Sequence, residues 1–163
     1  VETDVAFPAD RQENWYNTLA IAVDDSSDGE MDEVSSMTMS HSTSGDNRLM
    51  LVSVATDPHG ETVASITYNG VNLSFVGAEE DPNAHSRVEI WSLVAPDTGS
   101  NDVVVNMTGT GYHGAVVGVM TFTGVDQTTP LDNFSSAFGS SSTASTTVTS
   151  TTGDIVFGVV HTH

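Results

Sequence analysis

Apolar residues in this chain fall in short β-branched runs that recur every dozen or so residues, and helical spacing is hard to find. The runs read "TLAIAV", "EVSSMTMS", "RLMLVSVAT", "TVASITY", "VNLSFVG", "RVEIWSLV", "DVVVNMT", "GAVVGVMTFTG", "STTVTS" and "DIVFGVV". Between them lie Gly, Asn, Asp, Pro and Ser, the residues that supply turn geometry. Asn69-Gly70 in "ITYNGVNL" is the sharpest local signal. Both residues tolerate the positive φ angles that a two-residue hairpin turn requires. About ten short strands of this kind predict an all-β fold, an antiparallel β-sandwich or jelly roll. No run approaches the roughly 18 apolar residues of a membrane span, so direct membrane insertion is not expected.

Two segments depart from the pattern. At the N-terminus, Val1, Thr3, Val5 and Phe7 alternate with Glu2, Asp4 and Ala6 until Pro8 stops the run. This is a one-faced strand. It is expected to be either an edge strand of its own domain or an arm that completes the sheet of a neighbour. The organisation expected is therefore an arm over residues 1–17 and a sandwich over 18–163. The second segment, "SSSTASTTVTSTT", is almost all hydroxyls. Its β-branched content favours a strand with a threonine-rich outer face over a linker or glycosylated stalk. The last strand-like run ends at "VVHTH" with no turn residue, as though the domain lacked terminal strands.

Charge narrows the partners. The 163 residues carry 22 acids against three arginines and no lysine, a net charge of −19. Nucleic acids and anionic membranes are polyanions, and this chain would be repelled by both. Cations and cationic surfaces suit it better. Fourteen of the acids are aspartate, and such a composition fits a salty or calcium-rich setting, where screening suppresses self-repulsion. From Val103 onward the only acids are Asp126, Asp132 and Asp154, and an uncharged β surface on an acidic protein is a natural subunit contact. Cysteine is absent, so no disulfide staples the fold. Opening at Val1 without methionine is what a mature chain would show after removal of a signal peptide.

Four stretches taken together, "SHSTSGDNRLMLVSV", "VASITYNGVNLSFVG", "RVEIWSLVAPDTG" and "GVMTFTGVDQTTPL", resemble a β-sandwich module repeated in secreted and cell-surface proteins of bacteria and archaea. The likeness runs from about Leu19 to Val160. It implies an extracellular location and a structural or adhesive role, and it brings no catalytic residues with it.

The chemistry begins at "AVDDSSDGEMDEVS", with six carboxylates between Asp24 and Glu33. On a calcium-loop template Asp24, Ser26 and Asp28 take ligand positions one, three and five. Gly29 takes the sharp turn at six, the backbone of Glu30 takes seven, and Asp32 takes nine. Oxygen ligands without sulfur or imidazole suit a hard cation. Position twelve is Ser35, and no helices flank the stretch, so it is not an EF-hand. The expectation is a Ca²⁺ loop between strands, with Asp25 or Glu33 supplying the missing carboxylate. The alternative is a solvated acidic surface.

Other motifs carry less. "GTGYHG" spells G-x-G-x-x-G after a strand, but β-branched residues follow where a dinucleotide site needs a helix. His161 and His163 could pair on a strand face but lack a nearby third ligand. His41, His59, His85 and His113 are scattered through turns and strand ends. There is no nucleophile elbow and no cysteine nucleophile, so no enzyme is expected. Asn72, Asn106 and Asn133 stand in glycosylation sequons.

The function expected is an extracellular structural protein, a pilus-like filament subunit. Its arm, with Val1, Thr3, Val5 and Phe7 facing inward, would enter the sheet of the next copy in an open homo-oligomer. The alternative is a Ca²⁺-dependent carbohydrate-binding module. Trp15-Tyr16 is its candidate platform, and an exposed Trp91 would favour it.

Overall fold

A computed structural model describes residues 20–162. These residues contain no helix, and so none that could cross a membrane. The predicted all-β sandwich is observed as nine strands in two antiparallel sheets. They are β1 (Ala22–Met31), β2 (Ser36–Thr43), β3 (Leu49–Thr56), β4 (Val63–Tyr68), β5 (Val71–Asn72), β6 (Ser74–Glu80), β7 (Arg87–Val94), β8 (Gly99–Met107) and β9 (Ala115–Thr123). The first sheet runs β1-β9-β3-β7-β6 and the second β2-β8-β4-β5. Asn69 and Gly70 both have positive φ, and Tyr68 pairs with Val71 across them. This is the expected two-residue hairpin.

Alternation places one set of side chains from each sheet in a shared core. Met50, Val52 and Val54 of β3 and Val117 and Val119 of β9 meet Ile66 and Tyr68 of β4 and Val103 and Val105 of β8. Parts of the core are polar. His41 of β2 is buried, with Nδ1 2.7 Å from Ser27 Oγ and Nε2 3.2 Å from Thr121 Oγ1. Burial pushes its imidazole below the usual range, against the pull of the Asp25 and Asp24 charges. Glu89 of β7 is 1% exposed. It accepts hydrogen bonds from Arg87 Nε at 2.7 Å, Trp91 Nε1 at 3.0 Å and the Val63 amide at 3.2 Å.

Two expectations need correction. The acidic stretch from Asp24 is not a loop, because residues 22–31 form edge strand β1, paired along β9. Ser26, Asp28 and Glu30 face outward, opposite Met120, Gly118 and Val116. Ser27, Gly29 and Met31 face the core. The smallness of Gly29 matters, since a Cβ there would stand 3.2 Å from Met37 of β2. The runs "STTVTS" and "DIVFGVV" are not strands, and among the described residues none follows β9. Instead the segment after β9 reaches back to the first sheet. The Phe134 ring lies over Gly77, Phe157 packs with Leu49, Leu51 and Phe122, and Ser86 Oγ lies 2.7 Å from His161 Nδ1. The expected arm over residues 1–17 lies outside the described residues.

Edge strands present unpaired backbone groups, and folded chains ordinarily guard them with charge, bulges or brevity. Three of the four edges here are guarded. β1 carries Asp24, Asp25, Asp28 and Glu30 and a bulge between Val23 and Asp25. β6 has a bulge between Phe75 and Gly77 and ends in Glu79-Glu80. β5 is two residues long. The fourth edge, β2 ("SMTMSHST"), is eight residues long and pairs with β8 in unbroken register from Ser36–Asn106 to Thr43–Gly99. It has no proline, no Asp, Glu, Lys or Arg, and its histidine is buried.

Candidate functional site

The end of β3 lies beside the starts of β7 and β9, because Thr56 is in register with both Arg87 and Ala115. Three connecting loops therefore meet at one end of the sandwich. Each brings a histidine: His59 after β3, His85 before β7 and His113 before β9. Backbone hydrogen bonds lace the loops together. The His113 amide donates to Asp57 O at 3.0 Å and the Asp57 amide to Gly114 O at 3.2 Å. The His59 amide donates to Ala84 O at 3.2 Å. Asp81 holds the third loop by accepting from the amides of Asn83, His85 and Ser86. Burial alone would raise the pKa of Asp81, but these hydrogen bonds outweigh it and the net shift is downward.

The rings lie close, with centroids 4.3 Å apart for His59 and His113 and 5.5 Å for His59 and His85. Asp57, His59 and His113 each offer one ligand atom, and the three atoms lie within 4.8 Å of one another. Asp57 Oδ1 is 3.2 Å from His59 Nε2. That approach is off the line of a hydrogen bond, and this buried oxygen has no donor among the described residues. His59 and Ala84 both have positive φ, at 43° and 55°, a backbone region that non-glycine residues seldom adopt. An open cleft of about 480 Å³ adjoins the cluster, lined by Asp57 and His113 together with Glu30, Asp32 and His161.

The residues proposed for calcium are distributed differently. Asp24 accepts from the Ser44 amide at 2.8 Å, from Ser44 Oγ and from Thr121 Oγ1 at 3.2 Å. Burial opposes the ionised form of Asp24, but those bonds prevail and hold its carboxyl below the usual range. Glu30 lies about 20 Å further along β1 by strand rise, and Asp32 follows the strand. Oxygens bound to one calcium ion lie within about 5 Å of one another. The structure does not bring Asp24, Ser26, Asp28, Glu30 and Asp32 together in that way. Only Glu30 and Asp32 reach the histidine end.

Of the sequons, Asn72 and Asn133 are exposed, while Asn106 is half-buried and donates to Ser65 Oγ at 3.1 Å. Val1, Thr3, Val5 and Phe7, like Trp15-Tyr16, lie outside the described residues. The histidine corner went unread in the sequence because its members are 26 and 28 residues apart along the chain. Each sits in a visible turn, "DPHG", "NAHS" or "GYHG", but only strand order puts those turns at one end.

No known protein family matches this chain, and neither curated proteins nor solved structures include a match to it.

Proposed function

We propose that this chain is a structural module of the extracellular surface, a subunit of an open pilus-like filament. The observation that carries this reading is the long, uncharged β2 edge, unbroken in register, in a protein of charge −19. Such an edge is a template for another strand. The segment Val1–Phe7 has the alternation and nearly the length to fill it, as in donor-strand addition. Val1, Thr3, Val5 and Phe7 would cover Met37 and Met39, which are only half-buried beneath the β2 edge. Glu2 and Asp4 would point to solvent. Electrostatics favour β2 over β1, where the four carboxylates would oppose those two acids. A head-to-tail contact of this kind propagates instead of closing. The extracellular location rests on the composition and on the resemblance to repeated surface modules, and glycans at Asn72 or Asn133 would accord with it.

Trp91 supports this reading over a carbohydrate-binding one. It is half-buried, packs against the core and donates its indole N–H to Glu89, so part of the ring is committed to the interior.

The test is electron microscopy and sizing of the full chain beside a form lacking residues 1–8, both in molar salt, where charge repulsion is screened. Open assemblies from the full chain and monomers from the shortened one are expected. Monomers from both, or assemblies from both, would overturn the reading.

A further inference from the structure

We propose that Asp57, His59 and His113 bind one divalent transition-metal ion of the zinc and copper type. The donor set decides the class. Two imidazoles and a carboxylate suit borderline ions such as Zn²⁺ and Cu²⁺, whereas Ca²⁺ selects oxygen alone. The geometry is close to what such an ion needs. Bonds of about 2.0–2.1 Å in a tetrahedral site hold ligand atoms about 3.4 Å apart. Asp57 Oδ1 and His59 Nε2 are already 3.2 Å apart. The widest separation in the trio, at most 4.8 Å, has to shorten by up to about 1.4 Å to meet that spacing. His59 and His113 are exposed at their tips and can turn about their side-chain bonds to do so.

Two further observations point to a ligand. The buried Asp57 Oδ1 accepts no hydrogen bond among the described residues, and its one nearby nitrogen is His59 Nε2 at 3.2 Å. A buried carboxylate oxygen so placed is costly unless a cation completes it. A bound ion would supply that partner. In addition, the loops are held in register before any ion arrives, by the paired backbone bonds between Asp57 and the 113–114 segment. The ion would therefore enter a largely formed site and bind the β3–β4 loop to the β8–β9 loop. Glu30 and Asp32, which also line the adjoining cleft, add negative potential that draws cations towards it. Asp57 and His113 line this cleft, from which water or a carboxylate can complete the shell. This inference does not depend on filament assembly and can be tested on monomers.

The experiment uses the full chain without a histidine tag, stripped with chelator. Zn²⁺ is titrated by calorimetry and in competition with a chromophoric chelator. Co²⁺ serves as a spectroscopic probe of the ligand set. One Zn²⁺ per chain is expected, with a metal-dependent rise in Tm and no displacement by millimolar Ca²⁺. The His59→Ala/His113→Ala variant should bind at least about a hundredfold more weakly, and Asp57→Asn should change the Co²⁺ spectrum. Both should retain the metal-free circular dichroism of the parent. Absence of saturable one-to-one binding would overturn the proposal, as would affinity unchanged in the double histidine variant.

Discussion

Glu89→Ala is expected to destabilise the fold by roughly 3–5 kcal/mol, the range for removing one member of a buried ion pair. The side chain is 1% exposed and meets three donors: Arg87, Trp91 and the Val63 amide. Its loss leaves the Trp91 N–H and the Val63 amide without that acceptor and removes one of the two carboxylates on Arg87. Glu80, 2.7 Å from Arg87 Nη1, keeps the other end of the guanidinium paired but cannot serve the other two donors. Domains of this size are stable by only about 5–15 kcal/mol in total, so chemical denaturation should show a large fall in midpoint. Glu89→Gln keeps an acceptor and should lose less. A loss below about 1 kcal/mol for the alanine variant would contradict the role given to this cluster.

Placing acid on the exposed face of β2 should abolish assembly while leaving the subunit folded. Thr38 and Ser40 point outward, opposite Val104 and Asp102 of β8. The double variant Thr38→Asp/Ser40→Asp would set two carboxylates beside Glu2 and Asp4 of an incoming arm, where like charges directly opposite are unfavourable. Outward positions on a strand take a change of this kind without loss of core packing, so the subunit should stay folded. The carboxylate at 40 would face Asp102 of β8 and lose the Ser40–Ser100 hydrogen bond, so Tm should fall modestly in dilute buffer and less in molar salt. Sizing at the lowest salt in which the parent assembles should then show monomers, with assembly partly restored in molar salt, where the repulsion is screened. Assemblies of undiminished length would mean that the arm does not use this edge.

The strands of this sandwich were legible wherever side-chain alternation coincided with β-branched content. β3, β7, β8 and β9 are of that kind, and Asn69-Gly70 marked its hairpin outright. β1 was missed as a strand because its outward face is acidic and its inward face is Ser27, Gly29 and Met31. That composition looks like a loop until Met37 and Met39 are seen to fill the space over Gly29. "DIVFGVV" erred the other way. Its pattern describes side chains, whereas a strand also needs a hydrogen-bonding neighbour, and Phe157 instead packs on the outer cluster of the first sheet. β2 was readable as a strand but not as an edge, since its place at the margin depends on β8 being its single partner. The histidine corner was hidden for the same reason, because strand order and not spacing brings the three loops together.

Donor-strand assembly is tested most directly by disulfide trapping, which a chain without cysteine makes clean. One subunit would carry Ala6→Cys, and separate partners would carry a single cysteine at Ser36, Thr38, Ser40 or Ser42 of β2. Mixed and oxidised in molar salt, the two should form a covalent heterodimer at one of these four positions and not at its neighbours. If no mixture cross-links, while the corresponding double variant closes within a single chain, the arm belongs to its own sheet and the filament reading is wrong.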